Sequence, residues 1–516
     1  MTVLYGDRTA FGAPGVTPRW TRSAKEGVGT AYSASSRVWF TLSHGILNEI
    51  YYPRIDRPQI RDMEYLITDG ETFFHEEKRH LTSEIEQLNP TALGYRIVNS
   101  DPEGRYRIIK EIISDPHLPC VLVHTRVEAA AELRRKLRLF ALLAPHLDVG
   151  GAHNNGHVAE VAGQDILVAY KENTWLALGA DIPFLQRSCG YVGTSDGWTD
   201  LASDLKLDWK FDVACDGNIA LIGELDVMKT EAFTLGIGFG DGLHAAATAL
   251  FQSLGVPYEE QRARFIEQWG RSDSHRLPLA PLTGDDGKLF HTSHSLLLAH
   301  EDKTFQGALI ASLSIPWGEV KGDDELGGYH LVWTRDMVNS AGGLVAAGHV
   351  GTAFRALIYL ASTQLPDGGF HQNFWLDGSP YWTGVQLDEV SFPILLAWRL
   401  HHHGALDGFD PYPMVVRAAG YLIRHGPATP QERWEENSGY SPSTLAAGIT
   451  ALNCAAGFAQ MRGDAATARF IQEYADFLEA HIEAWTVTTQ GTLVPGIPRH
   501  YIRINPVDPS EPHPDE

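Results

Sequence analysis

A short run of charged and aromatic residues, QERWEENSGY, extends from Gln431 to Tyr440. Its asparagine, serine and glycine predict a loop, and the alanine-rich apolar pattern that begins at Thr444 predicts a helix directly after it. Helical patterns of this kind follow one another through the second half of the chain. The run therefore indicates a helical domain in which loops rich in charge and aromatic rings precede or join the helices.

Seven helices are predicted in that half, joined by loops that are alternately long and short. Their Ala- and Leu-rich sequences are separated by glycine or proline. Alternating loop lengths favour an α/α toroid built from helix hairpins, with a helix bundle as the alternative. The helices are expected at about 289–300, 336–348, 351–363, 388–403, 411–425, 441–460 and 465–482.

The residue pattern of the first half of the chain predicts β-strands. After an extended lead-in over residues 1–35, β-prone segments such as 105–112 and 120–127 alternate with turns up to about Gly240. Many short strands without intervening helices indicate a large antiparallel β-sandwich. The predicted hairpin turns are Asp69-Gly70, Asn155-Gly156, Asp196-Gly197 and Asp216-Gly217.

The predicted fold class is multidomain β and α. An antiparallel β-sandwich is expected over 1–241, a helical linker over 242–275, and the N-terminal part of an α/α barrel over 276–516. The glycine-rich stretch FTLGIGFGDG lies at the first boundary. A dinucleotide-binding loop needs a glycine where Asp241 stands and a surrounding βαβ unit, so this stretch is interpreted as a strand that ends in a turn.

The composition of the chain limits the kinds of molecule that the protein can bind and indicates its location in the cell. The chain has 516 residues, is 44% hydrophobic and carries a net charge of −23. That charge repels nucleic acid and anionic membranes and fits a neutral or cationic small substrate. No apolar run reaches the roughly 18 residues of a membrane-spanning helix. The N-terminus lacks the pattern of a signal peptide, so a cytoplasmic location is expected.

Several polar groups are interpreted as structural. The four cysteines, at 120, 189, 215 and 454, lack zinc-binding spacing and are expected to be free buried thiols, although the first three could in principle pair. His401–His403 are expected in a solvated last helical turn, because adjacent residues cannot all face one metal. Residues 322–325 (GDDE) suit either calcium or a solvated loop, and residues 76–79 (EEKR) suit surface charge.

The adjacent carboxylates Glu435 and Glu436 are the first candidates for chemistry. Neighbouring residues in a loop point to different sides, so one carboxyl can face a reacting bond while the other binds substrate. Trp434 offers a flat surface to a sugar ring and excludes water, which favours the protonated form of a nearby carboxyl. The alternative is an exposed acidic loop over a packed tryptophan.

Two further loops also combine charged residues with aromatic rings. In GGYHLVWTRD at 327–336, Arg335 and Asp336 suit vicinal sugar hydroxyls, and Tyr329 and Trp333 offer ring faces. The alternative is that Asp336 caps the next helix and pairs with Arg335.

In the loop over 366–388, Trp382 is expected to stack on a sugar, with Gln386 and Asp388 hydrogen-bonding nearby. The alternative is a turn with core aromatics. Metalloprotease, P-loop and serine-hydrolase motifs are absent from the sequence.

Taken together, these loops resemble glycoside hydrolase family 15, which contains glucoamylase and glucodextranase. The motifs are Tyr329-x-x-x-Trp-Thr-Arg-Asp and Trp434-Glu-Glu, in this order. The stretch SHGILNEIYYP at Ser43–Pro53 is similar to the start of the prokaryotic form, in which a β-sandwich precedes an (α/α)6 barrel. The resemblance covers nearly the whole chain.

The resemblance implies roles for individual residues. Glu435 matches the general acid, and Glu436 matches the adjacent carboxylate that binds substrate. The glucose-binding pocket is matched by Tyr329, Trp333, Arg335 and Asp336, and its aromatic walls by Trp382 and Trp434. The implied reaction is inverting hydrolysis that releases β-glucose from the non-reducing ends of α-glucans, without a metal or a cofactor. Glucodextranase and trehalase specificities, and a non-catalytic glucan-binding role, stay open.

The general base of the family lies between the eleventh and twelfth barrel helices, whereas seven helices are predicted here. No glutamate of this sequence is assigned as the base. An inverting pair needs a second carboxyl about 6.5–9.5 Å from the first. The chain is therefore expected to be one piece of a longer protein, or to be completed by a second chain. The Pro-rich tail from Asn505 is expected to be disordered or a surface loop.

Overall fold

The computed structural model describes residues 2–22, 24–313, 321–406 and 408–506. It divides into two compact units, Met1–Thr304 with Ser312–His330, and Phe305–Ala311 with Leu331–Glu516. The change of unit therefore comes later than the predicted boundary at residue 276. The reason is that the helix Lys288–Ala299 packs with the first unit, where Ala299 joins an apolar cluster with Trp269.

The first unit is a sandwich of two antiparallel sheets, as predicted. Valine, isoleucine and leucine recur along its strands and fit a pleated, buried surface. The strands are β1 (Thr2–Leu4), β2 (Gly27–Thr30), β3 (Trp39–Ser43), β4 (Ile46–Tyr51), β5 (Ile60–Thr68), β6 (Phe74–Glu76), β7 (Thr82–Asn89), β8 (Ala92–Ser100), β9 (Tyr106–Ser114), β10 (Cys120–Ala129), β11 (Arg138–Pro145), β12 (Asn154–Val161), β13 (Gln164–Lys171), β14 (Thr174–Ala180), β15 (Phe184–Tyr191), β16 (Val213–Gly217), β17 (Ile219–Leu225) and β18 (Ala232–Gly240).

One sheet has the order β1-β12-β13-β14-β18-β10-β9-β8-β7, with β16 paired to β12. The other has the order β15-β17-β11-β5-β4-β3-β2, with β6 paired to β5. The core between them contains Phe40, Tyr65, Val123, Leu139 and Leu235. This apolar layer is what two sheets bury when they pack face to face.

Helices cover the outer faces of the sandwich. The helices of this unit are α1 (Glu77–His80), α2 (Ala131–Arg134), α3 (Gly197–Asp204), α4 (Leu243–Leu254), α5 (Tyr258–Gly270) and α6 (Lys288–Ala299). A Cβ atom at Gly238 would lie 2.7 Å from both Ala246 O and Leu250 N of α4. The glycine-rich end of β18 thus lets a helix backbone lie directly on the strand, which explains this stretch without a nucleotide.

Of the four predicted hairpin turns, only Asp69-Gly70 joins two neighbouring strands, β5 and β6. The other three predictions are wrong. Asn155-Gly156 lies inside β12, where its residues pair with β13. Asp196 accepts hydrogen bonds from Trp198 N and Thr199 N and caps α3. Asp216-Gly217 ends β16, which is in a different sheet from β17.

Residues 76–79 are not simply surface charge, because Glu76 and Glu77 are both about 1% exposed. Lys110 Nζ and Asn99 Nδ2 donate to Glu77 Oε1 over 2.7 and 2.6 Å. Trp198 Nε1 donates to Glu76 over 3.0 Å. The sequence prediction was wrong because these partners lie on other strands and helices, far along the chain.

Other structural predictions have clear outcomes. All four cysteines are free, and Cys215 alone among them is only partly buried.

The Asp323 carboxylate accepts hydrogen bonds from Gly151 N and Ala152 N over 3.0 and 2.7 Å, which holds the 322–325 loop to the sandwich. Among the described residues, no group of three or more His, Cys, Asp or Glu is placed to hold a metal ion. Within the same part of the chain, no helix is both long and apolar enough to cross a bilayer.

The second unit is helical, and its helices confirm the six predicted after residue 330. They are α7 (Thr334–Ala346), α8 (Val350–Thr363), α9 (Leu387–His402), α10 (Tyr412–His425), α11 (Pro442–Met461) and α12 (Ala465–Thr486). Short strand pairs accompany them, β19 (Asn373–Phe374) with β20 (Pro380–Trp382) and β21 (Val487–Thr488) with β22 (His500–Tyr501).

These six helices form three successive hairpins, α7 with α8, α9 with α10, and α11 with α12. The first helix of each hairpin also packs against the first helix of the next, so that α7, α9 and α11 lie side by side. Such a row of inner helices backed by outer helices favours the α/α toroid over the bundle. His401 and His402 lie in the last turn of α9, as predicted. The tail was predicted to begin at Asn505, but Asn505 is buried and exchanges backbone hydrogen bonds with Tyr440, so the prediction is wrong for this residue. The predicted tail from residue 507 onward lies outside the described residues.

Candidate active site

Three loops of the second unit lead into the helices that pack side by side. Trp333 precedes α7, Gln386 precedes α9 and Ser441 precedes α11. Each helix start carries partial positive charge from unpaired backbone N–H groups, which favours carboxylates nearby. Asp336, Asp388 and Glu389 lie in the first turns of α7 and α9.

The first two loops are joined through backbone and side chains. Val332 and Phe374 exchange backbone hydrogen bonds of 3.0 and 3.1 Å. Thr334 Oγ1 donates to Glu389 O over 2.7 Å. These bonds fix the start of α7 against the start of α9.

Arg335 extends this junction with its guanidinium. Its Nη1 donates to Gln386 Oε1 over 2.7 Å and to Asp388 Oδ2 over 3.0 Å, and it lies 3.4 Å from Glu389 Oε1. The Nε atom is 3.7 Å from Asp336 Oδ2. Burial lowers the pKa of Arg335, but Glu389 and Asp388 outweigh this effect and raise the pKa overall. Arg335 is therefore a buried, permanently charged anchor between two loops.

The second and third loops also meet. Leu387 N donates to Thr429 Oγ1 over 3.2 Å. A Cβ atom at Gly384 would lie 2.3 Å from Gln372 Oε1 and 2.5 Å from Gln431 Oε1. Side chains from the second and third loops therefore both reach Gly384, and the three loops converge.

The third loop is tightly closed around the acidic residues. Thr429 and Gly439 exchange backbone hydrogen bonds of 2.8 and 3.0 Å across its base. Glu435 N donates to Glu432 O over 2.8 Å. Glu435 itself has a φ of 67°, a left-handed conformation that is uncommon for residues other than glycine. Backbone strain of this kind often accompanies functional sites.

Glu389 is a buried carboxyl group near the three loops, and its pKa is strongly shifted. It is about 1% exposed. Burial raises the pKa of Glu389 well above its ordinary value, and the charges of Asp388, Asp336 and Glu435 add to the rise, while Arg335 opposes it. Burial therefore disfavours the charged form of Glu389, whereas the neighbouring Arg335 favours it.

The predicted site residues differ in accessibility. Trp434 and Trp382 are 64% and 46% exposed, so their rings are available to a ligand. The side chains of Glu436 and Asp336 are 62% and 45% exposed. Trp333 is only 5% exposed and supports the loop from within. Tyr329, half exposed, belongs to the other compact unit.

Two expectations for these loops need correction. Gln386 and Asp388, expected to face a sugar, are buried and bind Arg335 instead. Asp336 does not cap α7, because the cap position is Trp333 and Asp336 lies inside the first turn. Arg335 pairs mainly with residues before and within α9 rather than with Asp336.

Sequence reasoning gave no role to Glu389, Glu432 or Arg503. Glu432 is about 1% exposed and accepts from Arg503 Nη2 over 2.7 Å. Glu389 directly follows Asp388, and Glu432 stands in the same run as Glu435, so proximity was a usable signal for both. Arg503 lies 67 residues from Glu436, and no local pattern marks it.

Chemically, the converged loops offer exposed carboxyls beside exposed indole rings. A carboxyl can exchange a proton with an oxygen atom, and indole faces bind the C–H faces of sugars. The buried side chains of Arg335 and Glu389 provide a fixed electrostatic environment for the exposed carboxyls. These properties suit acid-catalysed cleavage of a bond in a polar, ring-shaped substrate.

Comparison with known protein families agrees with this reading. Residues 10–273 match the family described as glucodextranase, domain N, and residues 359–506 match glycosyl hydrolases family 15. A glucoamylase from Clostridium sp. (strain G0005) is 38% identical over 500 residues, which cover 97% of this chain and 70% of that protein.

Solved structures give the same result. A bacterial glucoamylase complexed with acarbose superposes with a TM-score of 0.92 at 37% identity, over 98% of this chain and 73% of that one. An inverting mannosidase of family GH92 from Bacteroides thetaiotaomicron shares the fold alone, with a TM-score of 0.53 at 11% identity over 89% of this chain and 62% of its own. The predicted sandwich-plus-toroid fold is confirmed by the first match. The chain belongs to family 15 of the glycosyl hydrolases and is a glycoside hydrolase of glucoamylase type.

Proposed function

We propose that this hydrolase is an inverting, exo-acting α-glucosidase that releases β-glucose from the non-reducing ends of maltodextrin and starch-type α-glucans. The observation that carries the proposal is the contact between the three loops that contain Arg335, Trp382 and the Glu435–Glu436 pair. The family membership and the relative that was crystallised with acarbose support a carbohydrate ligand.

Glu435 is the proposed general acid. Its carboxyl would protonate the glycosidic oxygen as the bond to the anomeric carbon breaks, and the positive charge that develops on the sugar would be stabilised by nearby carboxylates. Glu436, Asp336 and Arg335 would bind the terminal glucose through its hydroxyls. The exposed rings of Trp382 and Trp434 would form its aromatic surroundings, with Trp333 supporting the loop from within.

The general base is not assigned among the described residues. Glu389 is a poor candidate, because its carboxyl is buried against Arg335 and leaves little room for an attacking water. We propose that a further segment of polypeptide or a second chain supplies the base and completes the toroid. Phe470 and Phe477 on α12 support this, since they are 60% and 45% exposed and would be covered by a neighbouring helix.

The test of the acid is glucose release from maltotetraose by the chain and by Glu435→Gln. We expect the substitution to lower kcat by at least about 100-fold, the range of a lost general acid. Glu479→Gln, at an exposed position of α12 on a different face from Phe470 and Phe477, is the matched control and should keep wild-type activity. Equal activity in the wild type and Glu435→Gln would contradict the assignment, and tight maltodextrin binding without turnover would favour a glucan-binding role.

The stereochemistry and the linkage are tested separately. Proton NMR during the first turnovers should show β-glucose before mutarotation, and α-glucose would contradict an inverting mechanism. The match to the N domain of glucodextranase favours α-1,6 linkages as the second candidate. Initial rates on maltotetraose, isomaltotriose and trehalose distinguish the candidates, and hydrolysis of trehalose alone would exclude the proposal.

A further inference from the structure

Glu432 is a buried carboxylate at the centre of the third loop, residues 429–439, which we call the acid loop. Its Oε1 accepts from Glu436 N over 3.3 Å and from Arg503 Nη2 over 2.7 Å. Its backbone closes the loop on both sides, because its N donates to Asn437 O over 2.9 Å and its O accepts from Glu435 N over 2.8 Å. Glu432 therefore touches the backbone of both adjacent glutamates from the side that faces away from solvent.

Arg503 links this buried carboxylate to the exposed one. Its Nη2 donates to Glu432 and also makes a short hydrogen bond to Glu436 Oε2. The two glutamates differ greatly in burial, since the side chain of Glu432 is 2% exposed and that of Glu436 is 62% exposed. An exposed glutamate ordinarily samples several rotamers, so the bond to Arg503 selects one of them.

Arg503 is itself held in place by a backbone junction. Tyr440 and Asn505 exchange hydrogen bonds of 2.9 Å in both directions. Asn505 Nδ2 donates to Trp485 O over 2.8 Å, and Ile502 N donates to Thr486 O over 2.9 Å. The segment around Arg503 is therefore tied both to the acid loop and to the end of α12.

We propose that Glu432 and Arg503 are positioning residues for the reaction. The Glu432 carboxylate holds Arg503 and the backbone N–H of Glu436, the residue that follows Glu435. Arg503 sets the rotamer of Glu436 so that its Oε1 is left to accept a sugar hydroxyl. The proposal rests on the proposed roles of Glu435 and Glu436 in glycoside hydrolysis. It adds that an arginine distant in sequence prepares both groups before the glucan binds.

Substitutions of Glu432 and of Arg503 should affect kcat and KM in different ways. Glu432→Gln removes the negative charge that holds Arg503 and weakens the acceptor for Glu436 N, so the backbone next to Glu435 loosens and proton transfer slows. This variant should mainly lower kcat. Without Arg503, Glu436 also loses its fixed rotamer, so Arg503→Met should raise KM as well as lower kcat. Arg503→Lys retains a donor near both carboxylates and should recover part of the loss.

The experiment compares these three variants with Arg499→Met in the full chain. Arg499 lies in the same segment and pairs with Glu483 over 2.7 Å, away from the acid loop, so it is a matched control. The measurements are kcat and KM on maltotetraose, the melting temperature, and hydrogen exchange of a peptide that spans residues 431–440. We expect at least a 10-fold loss of kcat/KM and at least 5-fold faster exchange of that peptide in Glu432→Gln and Arg503→Met, with Arg499→Met unchanged.

The outcomes separate this proposal from the proposed function. Unchanged exchange of the 431–440 peptide in both Glu432→Gln and Arg503→Met would overturn the positioning role, whether or not the chain is active. Faster exchange with wild-type kcat and KM in an active chain would overturn its functional part. An inactive wild type with faster exchange in the variants would contradict the proposed function and leave the loop-positioning role supported.

Discussion

At the scale of single residues, the backbone of Glu435 is the most informative feature. A residue other than glycine with φ near 67° is unusual, and here its N–H is bonded to Glu432 while its neighbour Glu436 is bonded to Arg503. A strained backbone conformation persists only where several surrounding contacts hold it in place. The adjacent carboxyls thus owe their geometry to the buried Glu432 and to Arg503, which comes from a distant segment.

Gly439 shows the same dependence on a distant segment. Its φ is 142°, and a Cβ atom there would lie 2.2 Å from Asn505 O. Gly439→Ala should therefore destabilise the protein by about 1–3 kcal/mol through strain and displacement of the 500–506 segment. Gly448→Ala in α11, where no atom lies within 4 Å of the added Cβ, is the control. It should be neutral or stabilising by up to about 1 kcal/mol, and urea unfolding of both variants checks the difference.

Glu389 predicts a pH dependence of stability. Burial raises its folded pKa well above the unfolded value of 4.5, so unfolding above about pH 4.5 releases a proton. The free energy of unfolding contributed by this group is therefore present at low pH and is lost as pH rises toward and through the folded pKa. Glu389→Gln, which cannot ionise, should gain melting temperature relative to the wild type as pH rises from 5 to 8. A difference that stays constant over this range would contradict the assignment.

Residue roles were predictable only where the chain itself brings the groups together. The run QERWEENSGY places Glu435 beside Glu436 and Trp434, and that proximity needs no folding. The partners of Arg335 and Glu436 come from other loops, so the sequence suggested Asp336 for the first and none for the second. Arg503 could not be found because its contacts depend on the path of the chain after α12.

At the scale of elements, periodicity identified helices well and turns poorly. Apolar spacing over ten or more residues predicted α7 to α12 within a few residues, because each inner face is buried by a neighbouring helix. Asn-Gly and Asp-Gly pairs were less informative, since Asn155-Gly156 continues a strand and Asp196 caps a helix. A turn signal of two residues is easily outweighed by strand pairing or by the need to cap a helix.

The packing of α4 on β18 can be tested by adding a side chain between them. Gly238→Val would place its branched side chain against the backbone at Ala246 and Leu250, which cannot move without lifting the helix. We expect a loss of at least about 2 kcal/mol of stability, typical of an overpacked site. Gly163→Ala, in an open turn, should lose much less, although its φ of 81° adds some strain. Calorimetric unfolding of both variants gives the comparison.

At the scale of the whole molecule, the charge of −23 bears on substrate choice. Binding of a neutral oligosaccharide involves no net charge and should be little affected by screening. We expect the KM for maltotetraose to change less than 2-fold between 0.05 and 0.5 M NaCl. An oligosaccharide oxidised to a carboxylate should bind more weakly at the lower salt concentration. A large salt effect on the neutral substrate would contradict a site specific for uncharged sugar.

The junction between Tyr440 and Asn505 also has a consequence for how the protein is made. A ribosome releases the acid loop and both helices α11 and α12 well before it releases residues 500–506. Until those residues emerge, Arg503 cannot reach Glu436 and Gly439 has no partner strand. The nascent chain would thus carry its acidic pair in an unfinished geometry until residues 500–506 emerge.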